Sequence, residues 1–192
     1  MKTKTLTVNR SFLFSLDLLL PVLAFTIPLF ISGPQLLTGS LVNCFLFLTA
    51  VYSSKKIQTS VVVFPSIAAL LNGLLFGKFT PFLAYFIPFI WMGNFLLVRT
   101  FSVTLRQAQS DKDIMVSPTN HDHDSGQARM TKGIIISSFL KSLFLFIFAF
   151  IFFKLSIVPQ IFLTAMGVFQ FITAILGGLI FLGINKIITK NQ

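Results

Sequence analysis

Four amide side chains lie inside apolar runs of this sequence: Asn43, Asn72, Asn94 and Gln170. An amide donates and accepts hydrogen bonds without carrying charge, which suits a neutral polar ligand such as a heterocycle. In lipid the same groups also serve as hydrogen-bonding glue between helices. Tyr85 and Trp91 share a run with Asn94 and add aromatic faces, and Thr173 follows one turn after Gln170. Aromatic faces with a few convergent amides are the usual makings of a small-molecule site. The candidate substrate-binding set is therefore Asn43, Asn72, Tyr85, Trp91, Asn94, Gln170 and Thr173. Packing is the alternative role for each amide.

Residues for covalent or acid–base chemistry are few. The two histidines, His121 and His123, fall in a polar "HDHD" stretch, where adjacent ligands in a flexible segment make a poor metal site. Serine and metalloprotease sites need a histidine within the membrane runs, and none is there. Glutamate is absent, and the five acids are Asp17, Asp111, Asp113, Asp122 and Asp124. Only Asp17 lies in an apolar run. It reads either as an interfacial carboxylate partnered by Arg10 or as the proton carrier of a secondary transporter. The single cysteine, Cys44, allows neither a disulfide framework nor a thiolate cluster. "GLLFGKF" (Gly73 to Phe79) lacks both the glycine spacing and the hydroxyl residue of a phosphate loop. The expectation is a protein that is not an enzyme and uses no cofactor and no metal.

The elements that must position these groups are membrane spans. Of 192 residues, 55% are hydrophobic and only 10% charged, a composition of the membrane class. Six stretches, at about 12–32, 36–53, 57–76, 79–98, 134–153 and 158–184, approach or exceed the roughly 18–20 residues that cross hydrocarbon. Lys2, Lys4 and Arg10 precede the first; Lys55 and Lys56 separate the second and third. Arg99, Arg106, Lys112, Arg129 and Lys132 fall between the fourth and fifth, and Lys186 and Lys190 follow the sixth, leaving Lys78 and Lys154 on the other side. Positive residues favour the cytoplasmic face, so the pattern predicts a multi-pass plasma-membrane protein with both termini inside. Topology thus accounts for the net charge of +10, and no nucleic acid is expected as a partner. The basic start before an apolar run resembles a signal peptide, but its length and the missing cleavage site predict an uncleaved first span. Residues 105–132 are polar and predict a flexible cytoplasmic loop within one membrane domain.

Span six divides into two faces. Thr164, Gly167, Gln170, Thr173, Ala174, Gly177 and Gly178 fill one half of its wheel, and Val168, Ile172, Ile175, Leu176 and Leu179 the other. The small, polar half is expected against other helices and the large half against lipid. Span three carries a stripe of Ala69, Gly73 and Gly77. Pro65, Pro81 and Pro88 loosen helical bonding, which lipid tolerates only where neighbours or a cavity satisfy the freed carbonyls. With Tyr85, Trp91 and Asn94 nearby, span four is expected to line a pocket.

Three stretches also resemble a known family: "GPQLLTGSLVN" (Gly33 to Asn43), "FPSIAALLNGLLFGKFTPFLAYFIPFIWMGNFLLV" (Phe64 to Val98) and "MGVFQFITAILGG" (Met166 to Gly178). They are similar to the substrate-binding membrane subunits of energy-coupling-factor transporters. More closely, they resemble a branch, part of which is labelled "iron hydrogenase", with G-P-x-x-T-G-x-x-V-N and P-S-x-x-A-L-x-x-G motifs, the first met here with three residues between Pro34 and Thr38. One cysteine cannot hold the clusters that label requires. The resemblance implies a six-helix subunit that captures a small vitamin-like molecule outside the cell. Its partners would be a membrane coupling subunit and a pair of cytoplasmic ATPases. Where that family often carries A-x-x-x-A on its first helix, this chain has Ser11 and Ser15. Nickel and cobalt members use an N-terminal histidine, which is missing here, so a metal substrate is not expected.

Overall fold

The computed structural model describes residues 10–31, 35–76, 80–114 and 122–190, and every regular element among them is helical. In chain order these are α1 (Arg10–Phe30), α2 (Gln35–Tyr52), α3 (Lys55–Phe76), α4 (Thr80–Ile114), α5 (Asp122–Lys154), α6 (Ile161–Met166) and α7 (Val168–Lys190). Four segments are long and apolar enough to cross a membrane: Gln35–Tyr52, Phe82–Gln107, Gly126–Lys154 and Ile161–Lys190. α1 is a shorter apolar helix over Phe14–Phe30. α1 and α3 stand where the first and third of the six expected spans were placed. Burial fits a membrane protein, because α5 turns Phe139, Leu143, Phe146 and Phe150 outward while Ser137, Ser138, Lys141 and Ser142 are buried. Such a surface is the reverse of a soluble helix.

Short polar residues close the tight connections. Thr38 Oγ1 donates to the Ile31 carbonyl at 3.1 Å, tying the start of α2 to the end of α1. Gln58 Nε2 reaches back from α3 to the Thr49 and Ser53 carbonyls, both at 3.2 Å, the first of which also accepts from the Ser53 amide, and so ties α3 to the end of α2. After α5, Ser156 adopts φ 58° and its amide donates to the Phe153 carbonyl at 2.9 Å.

The polar segment expected as a flexible loop at 105–132 is helical over 105–114 and 122–132, with 115–121 outside the described residues. Its few apolar side chains supply the reason. Leu105 and Met130 pack on the main core, anchoring helical extensions that polarity alone argued against. The sixth span is broken at Gly167 (φ −96°, ψ −90°), where an added β-carbon would sit 2.8 Å from the Phe146 ring.

α2 and α7 run parallel down the centre of the bundle. Gly39 meets Thr173, Asn43 meets Gly177, Phe47 meets Phe181 and Tyr52 meets Asn185. The faces expected for span six are present in the main: Thr173, Ala174, Gly177 and Gly178 are buried, and Val168, Ile172, Leu176 and Leu179 are exposed. Thr164 of the small half is exposed, however, and Ile175 of the large half packs on the core. Gly177 sets the spacing, since a β-carbon there would lie 2.6 Å from the Ser40 carbonyl oxygen. Below it Phe47, Phe101 and Phe181 interlock, with Phe47 and Phe101 centroids 4.8 Å apart. A second cluster joins α4, α5 and α6, where Phe86 stacks on Phe162 at 5.4 Å.

Candidate functional site

The seam between α2 and α7 meets α5 at a buried lysine. Lys141 stands near the midpoint of the segment Gly126–Lys154 and is 2% exposed. Its Nζ donates to Asn43 Oδ1 at 2.7 Å. Asn43 Nδ2 in turn donates to the Gly39 carbonyl at 2.8 Å and to Thr173 Oγ1 at 3.3 Å. Thr173 Oγ1 passes its own hydrogen to the Gln170 carbonyl at 3.1 Å. The result is a one-way chain from α5 through α2 to α7, with Asn43 as its hub. Because an amine has only donors to offer here, the oxygen of Asn43 must be the atom facing Lys141.

This cluster retains unspent bonding capacity. Asn43 is the one hydrogen-bond partner of Lys141 among the described residues, although an amine has more than one hydrogen to give. Ser138, one turn earlier on α5, has a buried Oγ with no hydrogen-bond partner among the described residues. Ser137 and Ser142 instead close onto carbonyls of their own helix. A lysine at the centre of a membrane helix costs about 2.5–3.5 kcal/mol on insertion scales. Such a cost persists in a sequence chiefly where the group has work to do.

Of the seven residues expected to bind substrate, the structure brings Asn43 and Thr173 together, with Gln170 one turn away and half-buried. The others lie elsewhere. Asn94 donates to the Val62 carbonyl at 3.1 Å and Trp91 Nε1 to Ser66 Oγ at 2.5 Å, both linking α4 to α3. These bonds surround Pro65, whose missing N–H loosens that turn of α3. Asn72 donates to the Leu29 carbonyl of α1 at 2.7 Å. Tyr85 is 57% exposed on the outside of α4.

Sequence reasoning passed over Lys141. The signal was present as a cation interrupting "IIISSFLKSLFLF", and averaging the run to find a span conceals it. Asp17, the acid singled out, has a buried Oδ1 without a hydrogen-bond partner among the described residues. The side chains of Arg10, of Pro81 and of "HDHD" at 121–124 lie outside what is described, as does Gly77. Compared with protein-family models, curated proteins and solved structures, the chain matches none.

Proposed function

We propose that this chain is the substrate-capture membrane subunit of an ATP-driven importer of the energy-coupling-factor type. In this reading six spans cross the plasma membrane, both termini are cytoplasmic, and a separate coupling subunit with an ATPase pair supplies the energy. The observation that carries the reading is Lys141, bonded to Asn43, which in turn bonds Thr173, inside a bundle whose outer surface is apolar. A buried amine with amide and hydroxyl neighbours recognises a small molecule bearing hydrogen-bond acceptors. The amides suit a neutral heterocycle, and Lys141 favours an acceptor-rich or acidic group upon it.

One observation favours a second reading, an assembly protein whose polar groups serve packing alone. Asn72, Asn94 and Trp91 all spend their donors on bonds between helices. Mass spectrometry of small molecules retained through purification in mild detergent separates the readings. The importer reading expects one stoichiometric compound, taken up by liposomes only when the coupling subunit and ATPases are present. An empty protein that no cytosolic or medium extract loads would support packing. Concentrative uptake by the chain alone, driven by a proton gradient, would instead make Asp17 the carrier of a secondary transporter.

A further inference from the structure

Two clefts on the α3–α4 side of the bundle share a wall, and their chemistries differ. The first has a volume of about 500 Å³ and is bordered by Lys55, Arg99 and Arg106, together with Gln58 and Ser102. No acid lines it. Gln58 donates to the Thr49 and Ser53 carbonyls and Ser102 to the Ala50 carbonyl, so these two side chains brace the frame. Among the described residues the three cations have no hydrogen-bonding or ionic partner. Three like charges face one cavity, and no described side chain neutralises them.

The second cleft, about 420 Å³, is almost wholly apolar and is lined by Trp91, Met92, Leu96 and Phe144. Val62 and Phe95 line both clefts and form the shared wall. Phe95 is 61% exposed and Met92 56%, so this trough opens to the bilayer side of the bundle. Along α4 the order is Met92, Leu96, Arg99, Arg106, which passes from apolar trough to cationic mouth. At about 1.5 Å per residue, Met92 and Arg99 are separated by roughly 10 Å along the axis. A cationic end joined lengthwise to an apolar trough matches one ligand shape, an anionic headgroup with an acyl chain.

We propose that the joined cleft holds one anionic phospholipid. Its phosphate sits among Lys55, Arg99 and Arg106, and a chain crosses Phe95 to lie along Trp91, Met92 and Leu96. Free anions match the mouth but leave the trough unused. Zwitterionic lipid matches the trough but brings its own cation to the mouth. The cleft is separate from the Lys141 cluster, and neither depends on the other.

The test reads lipid binding to the full-length protein in mild detergent by native mass spectrometry, with thermal stability measured on the same samples. Phosphatidylglycerol should form a one-to-one adduct at concentrations at least tenfold below phosphatidylcholine, and glycerol phosphate should neither bind nor raise Tm at millimolar levels. Each basic residue near a membrane surface contributes roughly fivefold in affinity for anionic lipid. The double variant Arg99→Gln/Arg106→Gln should therefore weaken the adduct on the order of 25-fold. Lys186→Gln/Lys190→Gln removes equal charge from α7, outside the cleft, and should change it less than threefold. If the first pair fails to fold, the comparison of the three probes on the unaltered protein still decides. Equal binding of both lipids, equal loss from both variant pairs, or glycerol phosphate binding as well as the lipid would each overturn the proposal. So would displacement of the lipid by an acidic peptide that binds more tightly at the same residues, which would make the mouth a protein-docking surface.

Discussion

The polar groups of the α2–α5–α7 seam and those of the α1–α3–α4 side are similar in kind, but their bonds end differently. On the α1–α3–α4 side Asn72 and Asn94 each donate to a backbone carbonyl on a neighbouring helix, and Trp91 reaches Ser66 beside Pro65. These bonds hold proline-bearing helices together, and what they leave over is an acceptor, the buried Asn94 Oδ1, which has no hydrogen-bond partner among the described residues. On the seam, side chains bond side chains, and the chain starts at a lysine with hydrogens still to give and a serine hydroxyl nearby without a partner. Closed bonds to backbone are what packing needs. Unspent donors on a lysine and a serine at the centre of an apolar bundle are what a site for an acceptor-bearing molecule needs. An asparagine in a membrane helix therefore takes its meaning from what it faces.

The comparison can be broken most severely at Gly177. A leucine there would drive its β-carbon into the Ser40 carbonyl and the Asn43 side chain, forcing α2 and α7 apart. Gly177→Leu should lose about 3 kcal/mol of stability or more, or yield no folded protein, in detergent unfolding or expression assays. Gly183, where a β-carbon would meet nothing within 4 Å, is the control, and Gly183→Leu should leave stability nearly unchanged. If both behave alike, the seam is not closely packed.

Asn43→Ala should come next. It removes the acceptor for Lys141 and the donor to Thr173, costing about 1–3 kcal/mol of stability through unmet buried polar groups. Retention of the small molecule that the importer reading expects to co-purify should fall with it. Asn94→Ala sharpens the contrast, because its effect should be confined to stability. Interhelical bonds of this type average about 0.6 kcal/mol and reach about 1.7, and ligand retention should not change. Asn72→Ala should give the smallest effect, close to that average, again without loss of ligand. Ligand loss from Asn94→Ala at unchanged stability would move the site to the α3–α4 side.

Much of the fold was legible because lipid imposes simple rules. Apolar length placed the helices, and the alternation of glycine and threonine with leucine and isoleucine gave the faces of α7 except at Ile175, which packs on the core. The helical ends of α4 and α5 were not legible, because polarity was read as loop while Leu105 and Met130 were already enough to anchor them. The candidate site was legible only in part. Asn43 and Thr173 could be named as residue types that bond in lipid, yet no spacing rule links position 43 to 173. Lys141 was hidden by the surrounding apolar run. Span four, with its prolines, is expected to line a pocket, and α4 borders both clefts through residues such as Trp91, Phe95 and Arg99. α3 and α4 meanwhile continue through Pro65 and Pro88, with Asn94 and Ser66 bonding to carbonyls near Pro65.

The most direct test concerns Lys141 itself, with affinity for the co-purifying small molecule and thermal stability measured on the same preparations. Hydrogen bonds to a charged group contribute about 1.5–3 kcal/mol, so Lys141→Met should weaken binding by roughly 10- to 150-fold. The same change removes a group that costs about 2.5–3.5 kcal/mol to place at the membrane centre, so stability should hold or rise. A variant that binds poorly yet melts no lower than the parent is the predicted result. Affinity within twofold of the parent, or affinity lost only as the variant unfolds, would contradict the account and leave Lys141 as a structural tie to Asn43.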